Sequence, residues 1–338
     1  MLAPADRAVW VLARRRLFVP VDVVLVAITL VCAAGVPIPA AVQIIPFALG
    51  LVLFGLPHGA LDHLVPARLA GRPASLRTVG PVVHLYLVLG GLVLGLWTVA
   101  PVAASVFFIA LTWFHWGTGD AHAVSARGRR LSGSRVVTVP LLRGALPMIV
   151  PLLAFPETYG GVLASTTRAF GVGAPPGAVS GPVRIGLAAG LGVLVAAVVL
   201  AEYRAHGQTP DGRRSLLGDL GEVTLLIAFF SVVPPVLAVG LYFSLWHSLR
   251  HIVRLSLIDA ALAGPALENR WGAVLARFSL QAAPITLAAL ALLVGLFVAL
   301  SPRAGGSPSA LLGIYLVLIS ALTLPHAVVV GAMDRARR

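Results

Sequence analysis

Apolar runs of about 20 residues recur along most of this chain, and they constrain its fold more than any other feature of the sequence. In lipid, only helices and closed barrels satisfy every backbone hydrogen bond, and a helix needs about 20 apolar residues to cross the hydrocarbon core. The runs therefore predict transmembrane helices. We expect ten of them, at about residues 17–35, 41–66, 79–100, 101–123, 136–155, 182–203, 217–233, 236–258, 273–300 and 309–331.

The composition agrees with an integral membrane protein. Only 11 % of the 338 residues are charged and 59 % are hydrophobic, whereas soluble domains have about 25 % charged residues. The net charge of +13 does not indicate nucleic-acid binding, because the arginines are dispersed at the ends of apolar runs. We predict an all-α, polytopic helical bundle that forms one membrane-embedded catalytic domain over residues 1–338, with its longest irregular stretch at about 155–181.

The arginines also predict the topology of the bundle. Cytoplasmic connections of membrane proteins are enriched in Lys and Arg, and arginines precede the first helix and follow the even-numbered ones. The connections at 37–39 and 233–235 carry no charge. Both termini are therefore expected in the cytoplasm, at the cell membrane. The arginines behind this prediction are Arg7, Arg14, Arg15, Arg16, Arg68, Arg72, Arg77, Arg127, Arg129, Arg130, Arg135, Arg204, Arg213, Arg214, Arg335, Arg337 and Arg338.

Five of the nine histidines lie in even-numbered predicted spans and away from the membrane interface: His58, His115, His247, His251 and His326. An imidazole in hydrocarbon is costly unless it is paired or bound to a metal. His247 and His251 are spaced i and i+4, which places both on one helix face. All five lie on even-numbered helices, at or beyond the middle, so we expect one convergent metal site in the cytoplasmic half of the membrane.

The donor types limit the metal and its surroundings. Cys32 is the only cysteine, so no thiolate cluster is expected, and a set of imidazoles suits iron, zinc or copper. Asp62 and Asp120 follow His58 and His115 closely, and we expect each carboxylate to accept the second N–H of a ligating imidazole. Glycines beside these histidines predict close helix packing or a local break; they are Gly59, Gly117 and Gly119.

The remaining polar and aromatic candidates have open roles. His326 follows Pro325 and is compatible with a ligand, an outer hydrogen-bond donor or a group that satisfies a proline kink. The aromatic residues beside the histidines are candidates for an apolar substrate tunnel, or ordinary packing residues: Trp113, Phe114, Trp116, Tyr242, Phe243 and Trp246. We expect the other histidines to be non-ligands; these are His63, His84, His122 and His206.

Four motifs resemble, in order, those of the Brp/Blh-type β-carotene 15,15′-dioxygenases. They are GLPHGALDH at 55–63, FHWGTGD at 114–120, WHSLRH at 246–251 and PH at 325–326, and the resemblance covers about residues 45–330. It implies a prokaryotic membrane enzyme that uses Fe²⁺ and O₂ to cleave β-carotene centrally into two all-trans-retinal molecules, which are passed to rhodopsins.

The resemblance also assigns residues. His58, His115, His247 and His251 match the proposed iron ligands of the family. Asp62 and Asp120 match its motif carboxylates, and His326 matches its late histidine.

Two other classes of protein use similar residues. Membrane di-iron desaturases and hydroxylases have adjacent His-His pairs, which this sequence lacks. A transporter or proton relay also uses intramembrane His and Asp, but it is expected to show inverted repeats, and we find none in the sequence. The sequence therefore favours a non-haem iron dioxygenase in which an apolar tunnel positions the polyene beside the metal.

Overall fold

The computed structural model describes residues 4–126, 131–173, 179–304 and 308–337, and within these ranges the regular elements are helices. Ten helical segments of the described residues are long and apolar enough to cross a membrane, which confirms the predicted fold class. They are α1 (Pro4–Ala33), α2 (Ala40–Leu69), α3 (Leu76–Val99), α4 (Pro101–Ala126), α5 (Arg135–Ala154), α7 (Gly181–His206), α8 (Pro210–Val232), α9 (Pro235–Ser256), α11 (Trp271–Leu300) and α12 (Ala310–Ala336). Two shorter helices complete the order, α6 (Pro156–Arg168) and α10 (Ala260–Leu267).

Several helices extend beyond their apolar runs. Helix α8 begins at Pro210, where the sequence predicted a start near 217, because the Thr209 hydroxyl accepts a hydrogen bond from the Gly212 N–H and caps the first turn. The stretch at 155–181 was predicted to be irregular, and this was wrong for the residues of α6. Helix α6 begins with Pro156 and has Glu157 in its first turn, two residue types that favour a helix N-terminus.

The orientation of the helices in the membrane stays a prediction. Of the arginines on which it rests, Arg127, Arg129, Arg130 and Arg338 lie outside the described residues. Arg135 begins α5 and forms a buried ion pair with Glu202 of α7, with its Nε 3.0 Å from the carboxylate. This arginine therefore contributes to helix packing as well as to the charge of its connection.

The helices belong to two compact units that alternate along the chain. The first unit comprises Met1–Leu51, Trp113–Tyr159 and Val179–Val253, and the second comprises Val52–Thr112, Gly160–Ala178 and Arg254–Arg338. Each unit is assembled from three separate segments. Because the segments alternate, no single cut in the sequence separates the units, and the single catalytic domain stays a prediction.

In the first unit, α5 is the central helix and packs against α7 and α8. Helices α4 and α5 approach so closely that a Cβ at Gly117 would meet the carbonyl oxygen of Pro140, and one at Gly144 would meet that of Trp113. The Trp113 indole also donates to the Leu141 carbonyl at 2.8 Å. Glycine thus lets the two backbones touch, which confirms the close packing predicted at Gly117.

In the second unit, α12 packs against α3 and α11. The Trp97 indole, which is fully buried on α3, donates to the Ser320 hydroxyl of α12 at 2.7 Å, and the Phe170 ring stacks on it at a centroid distance of 5.7 Å. Helix α11 has few buried residues, and much of its apolar surface is exposed. Such a surface suits contact with lipid.

Two glycine substitutions test the contact between α4 and α5, because one of the glycines lies at the contact and the other lies away from it. Gly117→Ala places a methyl group against the Pro140 carbonyl and should lower the free energy of unfolding by about 1–3 kcal/mol. Gly91→Ala on α3 meets nothing within 4 Å and should leave it unchanged or raise it by up to about 1 kcal/mol. Unfolding in detergent micelles measures both changes. Equal changes in the two variants would contradict the backbone contact.

Candidate metal centre

His58 lies on α2 directly after a π-helical turn, Leu51–Gly55, and is 6 % exposed. Its Nδ1 donates to the backbone carbonyl of Gly55. Because a carbonyl can only accept, this contact places the ring proton on Nδ1 and the lone pair on Nε2. A histidine whose tautomer is fixed in this way is prepared to bind a metal through Nε2.

His326, on α12, is 4 % exposed and its Nδ1 donates to the Asp62 Oδ2 at 2.7 Å. The Tyr86 hydroxyl of α3 donates to the same carboxylate oxygen at 2.6 Å. Asp62 lies in a single 3₁₀ turn, Asp62–Leu64, that interrupts α2. The sequence predicted that Asp62 would accept a hydrogen bond from an imidazole. In the structure the imidazole that donates to Asp62 is that of His326.

The His58 and His326 rings form a pair. Their centroids are 4.9 Å apart with the planes nearly perpendicular, and their potential ligand atoms lie within 4.8 Å of each other. Gly59 adjoins the pair, since a Cβ there would lie 3.4 Å from the His326 Nδ1. The second unit therefore carries a buried group of two imidazoles and one carboxylate, which is compatible with a metal site.

The first unit carries the other three intramembrane histidines. His115 on α4 and His247 and His251 on α9 are at most 5 % exposed. The rings of His115 and His247 lie 4.9 Å apart, and a Cβ at Gly119 would lie 3.3 Å from the His247 ring. His247 is part of a π-helical segment, Tyr242–Ser248. Segments of this kind are frequent at functional sites.

Aromatic side chains cover one side of His247. The Trp116 ring lies 5.7 Å from the imidazole and stacks on Phe243, while Tyr242 stacks on Trp246. These four aromatic residues are at most 8 % exposed. Trp116 and Phe243 give one side of the histidine an apolar surface, and the role of all four residues in a substrate tunnel stays a prediction.

The other two aromatic residues proposed for the tunnel differ. Phe114 is 62 % exposed, which suits contact with lipid, and its role in a substrate tunnel stays a prediction. The Trp113 indole contacts the neighbouring helix through the Leu141 carbonyl. This contact suits a packing role, and the part of Trp113 in a substrate tunnel stays a prediction as well.

A buried network of charges lies beside this aromatic group. Asp120 accepts a hydrogen bond from the Trp246 indole at 3.1 Å and pairs with Arg143 at 3.1 Å. Arg143 also pairs with Glu222 at 3.0 Å and lies 3.8 Å from Asp219. The remaining member, Arg250, lies 3.4 Å from Asp120 and 3.7 Å from Glu222, with its guanidinium over the Trp246 ring.

The network connects four helices of the first unit. Asp120 is five residues after His115 on α4, and Arg250 directly precedes His251 on α9. Helices α5 and α8 supply the other partners. Removing one member would leave a charge buried without compensation, which is costly in a membrane protein. The ion pairs therefore hold the two histidine-bearing helices in one register.

Sequence analysis missed most of this network. Only Asp120 was singled out, and its predicted contact with a ligating imidazole stays a prediction. The available signal was a charge inside an apolar run: Arg143 within 136–155, and Asp219 and Glu222, three residues apart, within 217–233. A pair of acids at that spacing lies on one helix face.

The other four histidines lie outside both groups among the described residues. His63 donates to the Ala60 carbonyl at 2.9 Å, and His122 lies against the Trp10 ring. His206 lies 4.0 Å from Glu202, and His84 is exposed. Their predicted lack of a ligand role stays a prediction.

Fold and site together define a class of protein: a multi-pass membrane protein with buried histidine and aspartate groups suited to a metal. Comparison with known proteins narrows the class. The family described as Beta-carotene 15,15'-dioxygenase matches residues 49–334, a range that includes all five intramembrane histidines. The chain belongs to this family of oxidoreductases, which confirms the resemblance found in the motifs.

Two relatives from Halobacterium salinarum illustrate the relationship. "Probable beta-carotene 15,15'-dioxygenase Blh" is 40 % identical over 313 residues, which cover 90 % of this chain and 88 % of the relative. "Probable beta-carotene 15,15'-dioxygenase Brp" is 33 % identical over 327 residues, covering 90 % and 87 %. No solved structure matches the chain.

The buried network predicts a large loss of stability when one charge is removed. Arg143→Met leaves three carboxylates with fewer partners and should lower the free energy of unfolding by about 3–5 kcal/mol. Arg270→Met is the matched control, because Arg270 pairs with Glu268 at 3.1 Å on the exposed surface and should contribute less than about 1 kcal/mol. Unfolding in detergent micelles compares them. Similar losses would show that the network does not hold the first unit together.

Proposed function

We propose that this protein is a non-haem iron(II) dioxygenase that cleaves β-carotene at its central 15,15′ double bond. O₂ supplies one oxygen atom to each new aldehyde, so that one C₄₀ polyene gives two all-trans-retinal molecules. The observation that carries the proposal is the set of buried imidazoles on α2, α4 and α9, found in a chain that belongs to the β-carotene 15,15′-dioxygenase family. Two relatives bear the name of this activity.

The donor set fits an iron ion. We propose His58, His115, His247 and His251 as its ligands. The backbone contact that fixes the tautomer of His58 supports this assignment. Cys32, the only cysteine of the sequence, lies on α1 as a free thiol, so the expected donors are neutral imidazoles, which suit Fe²⁺. When bound, the iron would supply the activation of O₂.

The protein's own contribution would be to orient the substrate and to exclude water. β-Carotene has no polar group, so apolar contacts alone must decide which double bond reaches the metal. Trp116 and Phe243 form a buried apolar wall beside His247, and such a wall also keeps competing water away. We propose that Trp116, Tyr242, Phe243 and Trp246 line the substrate path.

Cleavage in a living cell tests the proposal. A bacterial strain that makes β-carotene should lose its orange colour and accumulate retinal when it expresses this protein. His247→Ala and His251→Ala should each abolish retinal formation, because each removes a proposed ligand, whereas His84→Ala changes an exposed side chain and should retain it. Chromatography of extracted pigments measures substrate and product.

The controls make the result decisive. Membrane-fraction immunoblots establish that all variants accumulate to the same level. If an alanine variant accumulates to the normal level and still forms retinal, the substituted histidine is not a ligand. Unchanged β-carotene with iron-loaded wild-type protein would exclude central cleavage.

We also propose that the protein resides in the cell membrane with both termini in the cytoplasm, and that retinal passes through the lipid to a rhodopsin. The ten apolar helices support a membrane location, and the arginine pattern supports the orientation. Green fluorescent protein fused to the C-terminus should fluoresce, while alkaline phosphatase fused there should be inactive. A dark fluorescent protein together with an active phosphatase would place the C-terminus outside the cytoplasm and contradict the proposed orientation.

A further inference from the structure

The contacts of His326 give this residue a role that the motif alone left open. We propose that His326 binds the same metal ion as His58, and that Asp62 and Tyr86 are positioning residues that hold its ring in place. This inference rests on the metal site of the proposed function. It adds a fifth histidine to the ligands and gives Tyr86, which the sequence did not single out, a role.

The first step is the proton on His326. Its Nδ1 lies 2.7 Å from an Asp62 oxygen that also accepts the Tyr86 hydroxyl at 2.6 Å. A carboxylate that receives two donors on one oxygen is held firmly, so the imidazole that points at it is held as well. The proton is therefore on Nδ1, and Nε2 carries the lone pair. Carboxylate, histidine and metal form this arrangement in many metalloproteins, where the carboxylate fixes the ring and raises its basicity.

The second step is the neighbouring imidazole. A His–Asp pair alone would also be explained as a hydrogen bond between helices, since such bonds stabilise membrane bundles. A hydrogen bond that only holds two helices together would not require a second histidine beside the pair. Yet the His58 ring stands 4.9 Å from the His326 ring, and its Nδ1 is occupied by the Gly55 carbonyl in the same way that Asp62 occupies the Nδ1 of His326. Both contacts thus place the proton on Nδ1 and the lone pair on Nε2 of each ring.

The third step is distance. Two imidazole nitrogens bound to one ion at about 2.1 Å each can be at most about 4.2 Å apart. Potential ligand atoms of His58 and His326 lie within 4.8 Å. The two rings, with centroids 4.9 Å apart, are therefore close enough for side-chain rotation to bring one nitrogen of each to a common ion.

The experiment measures metal binding by purified protein in detergent, independently of cleavage. Wild type, His326→Ala, His326→Gln, Asp62→Asn and Tyr86→Phe are loaded with Fe²⁺ under nitrogen, and the dissociation constant is obtained by competition with a chromogenic chelator. Tyr203→Phe is the matched control, since it removes a phenol hydroxyl from a residue that is 50 % exposed. The nitric oxide adduct of the bound iron is recorded by electron paramagnetic resonance.

The expected losses follow the contacts. Both His326 variants should lose affinity by at least about 100-fold, Asp62→Asn by about 10–100-fold, and Tyr86→Phe by less than Asp62→Asn. Tyr203→Phe should match wild type. The spectrum of the nitric oxide adduct should change in the His326 variants, and free imidazole should restore iron binding to His326→Ala. A residue that acts only in packing would change neither the spectrum nor the response to imidazole.

The contrary results are equally specific. Wild-type affinity and an unchanged spectrum in His326→Gln would overturn the inference, and the unfolding temperature of the metal-free variants separates loss of a ligand from loss of the fold. The wild-type protein could bind iron, and the His326 variants fail to bind it, while the wild-type protein forms no retinal. This result would uphold His326 as a ligand and reject the proposed function. A wild-type protein that binds no metal would overturn both.

Discussion

The structure depends on one constraint: a polar group inside a membrane protein must find its partner within the protein, because lipid offers none. Ten apolar helices satisfy their backbones internally, so the side chains that remain polar are few and expensive. Among the described residues, the intramembrane histidines and many of the buried charges are gathered into groups on neighbouring helices. Because an isolated charge or imidazole would be costly there, the pairing of these groups fixes the positions of the helices that carry them.

The two units meet this constraint in different ways. In the first, Arg143 lies among three carboxylates, and the partner helices cannot slide without separating buried charges. In the second, the contacts are fewer and directional: Tyr86 and His326 both donate to Asp62, and Trp97 donates to Ser320. Ion pairs fix register strongly, while single hydrogen bonds fix the orientation of one ring. Both forms of restraint act next to histidines.

Much of this was predictable from the sequence, for a physical reason. Hydropathy is a local property, so the ten spans could be read from consecutive residues, and the cost of an imidazole in hydrocarbon drew attention to His58, His115, His247, His251 and His326. The partners were not local. Asp62 contacts a histidine 264 residues away, and the separation between Asp120 and Trp246 is 126 residues. Hydropathy gives no information about such pairings, which is why Tyr86 and Arg143 went unnoticed.

Backbone irregularity was also outside the reach of periodicity. The π-helical segments Leu51–Gly55 and Tyr242–Ser248 occur just before or around a histidine, and nothing in the spacing of apolar residues predicts a wider turn there. The glycines were more informative. Gly117 was recognised as a site of close packing because small residues on membrane helices have few other uses.

The proposed use of imidazole as the metal donor agrees with the same constraint. A thiolate or carboxylate ligand would bring a charge into the membrane before any metal arrived, whereas a neutral imidazole can be buried in the metal-free protein at lower cost. The carboxylates nearest the histidines conform to this reasoning, since each is compensated: Asp62 by Tyr86 and His326, and Asp120 by Trp246 and two arginines. A site built from neutral donors and compensated acids can remain folded while empty. Such a site also excludes water, which the proposed cleavage of an apolar polyene would need.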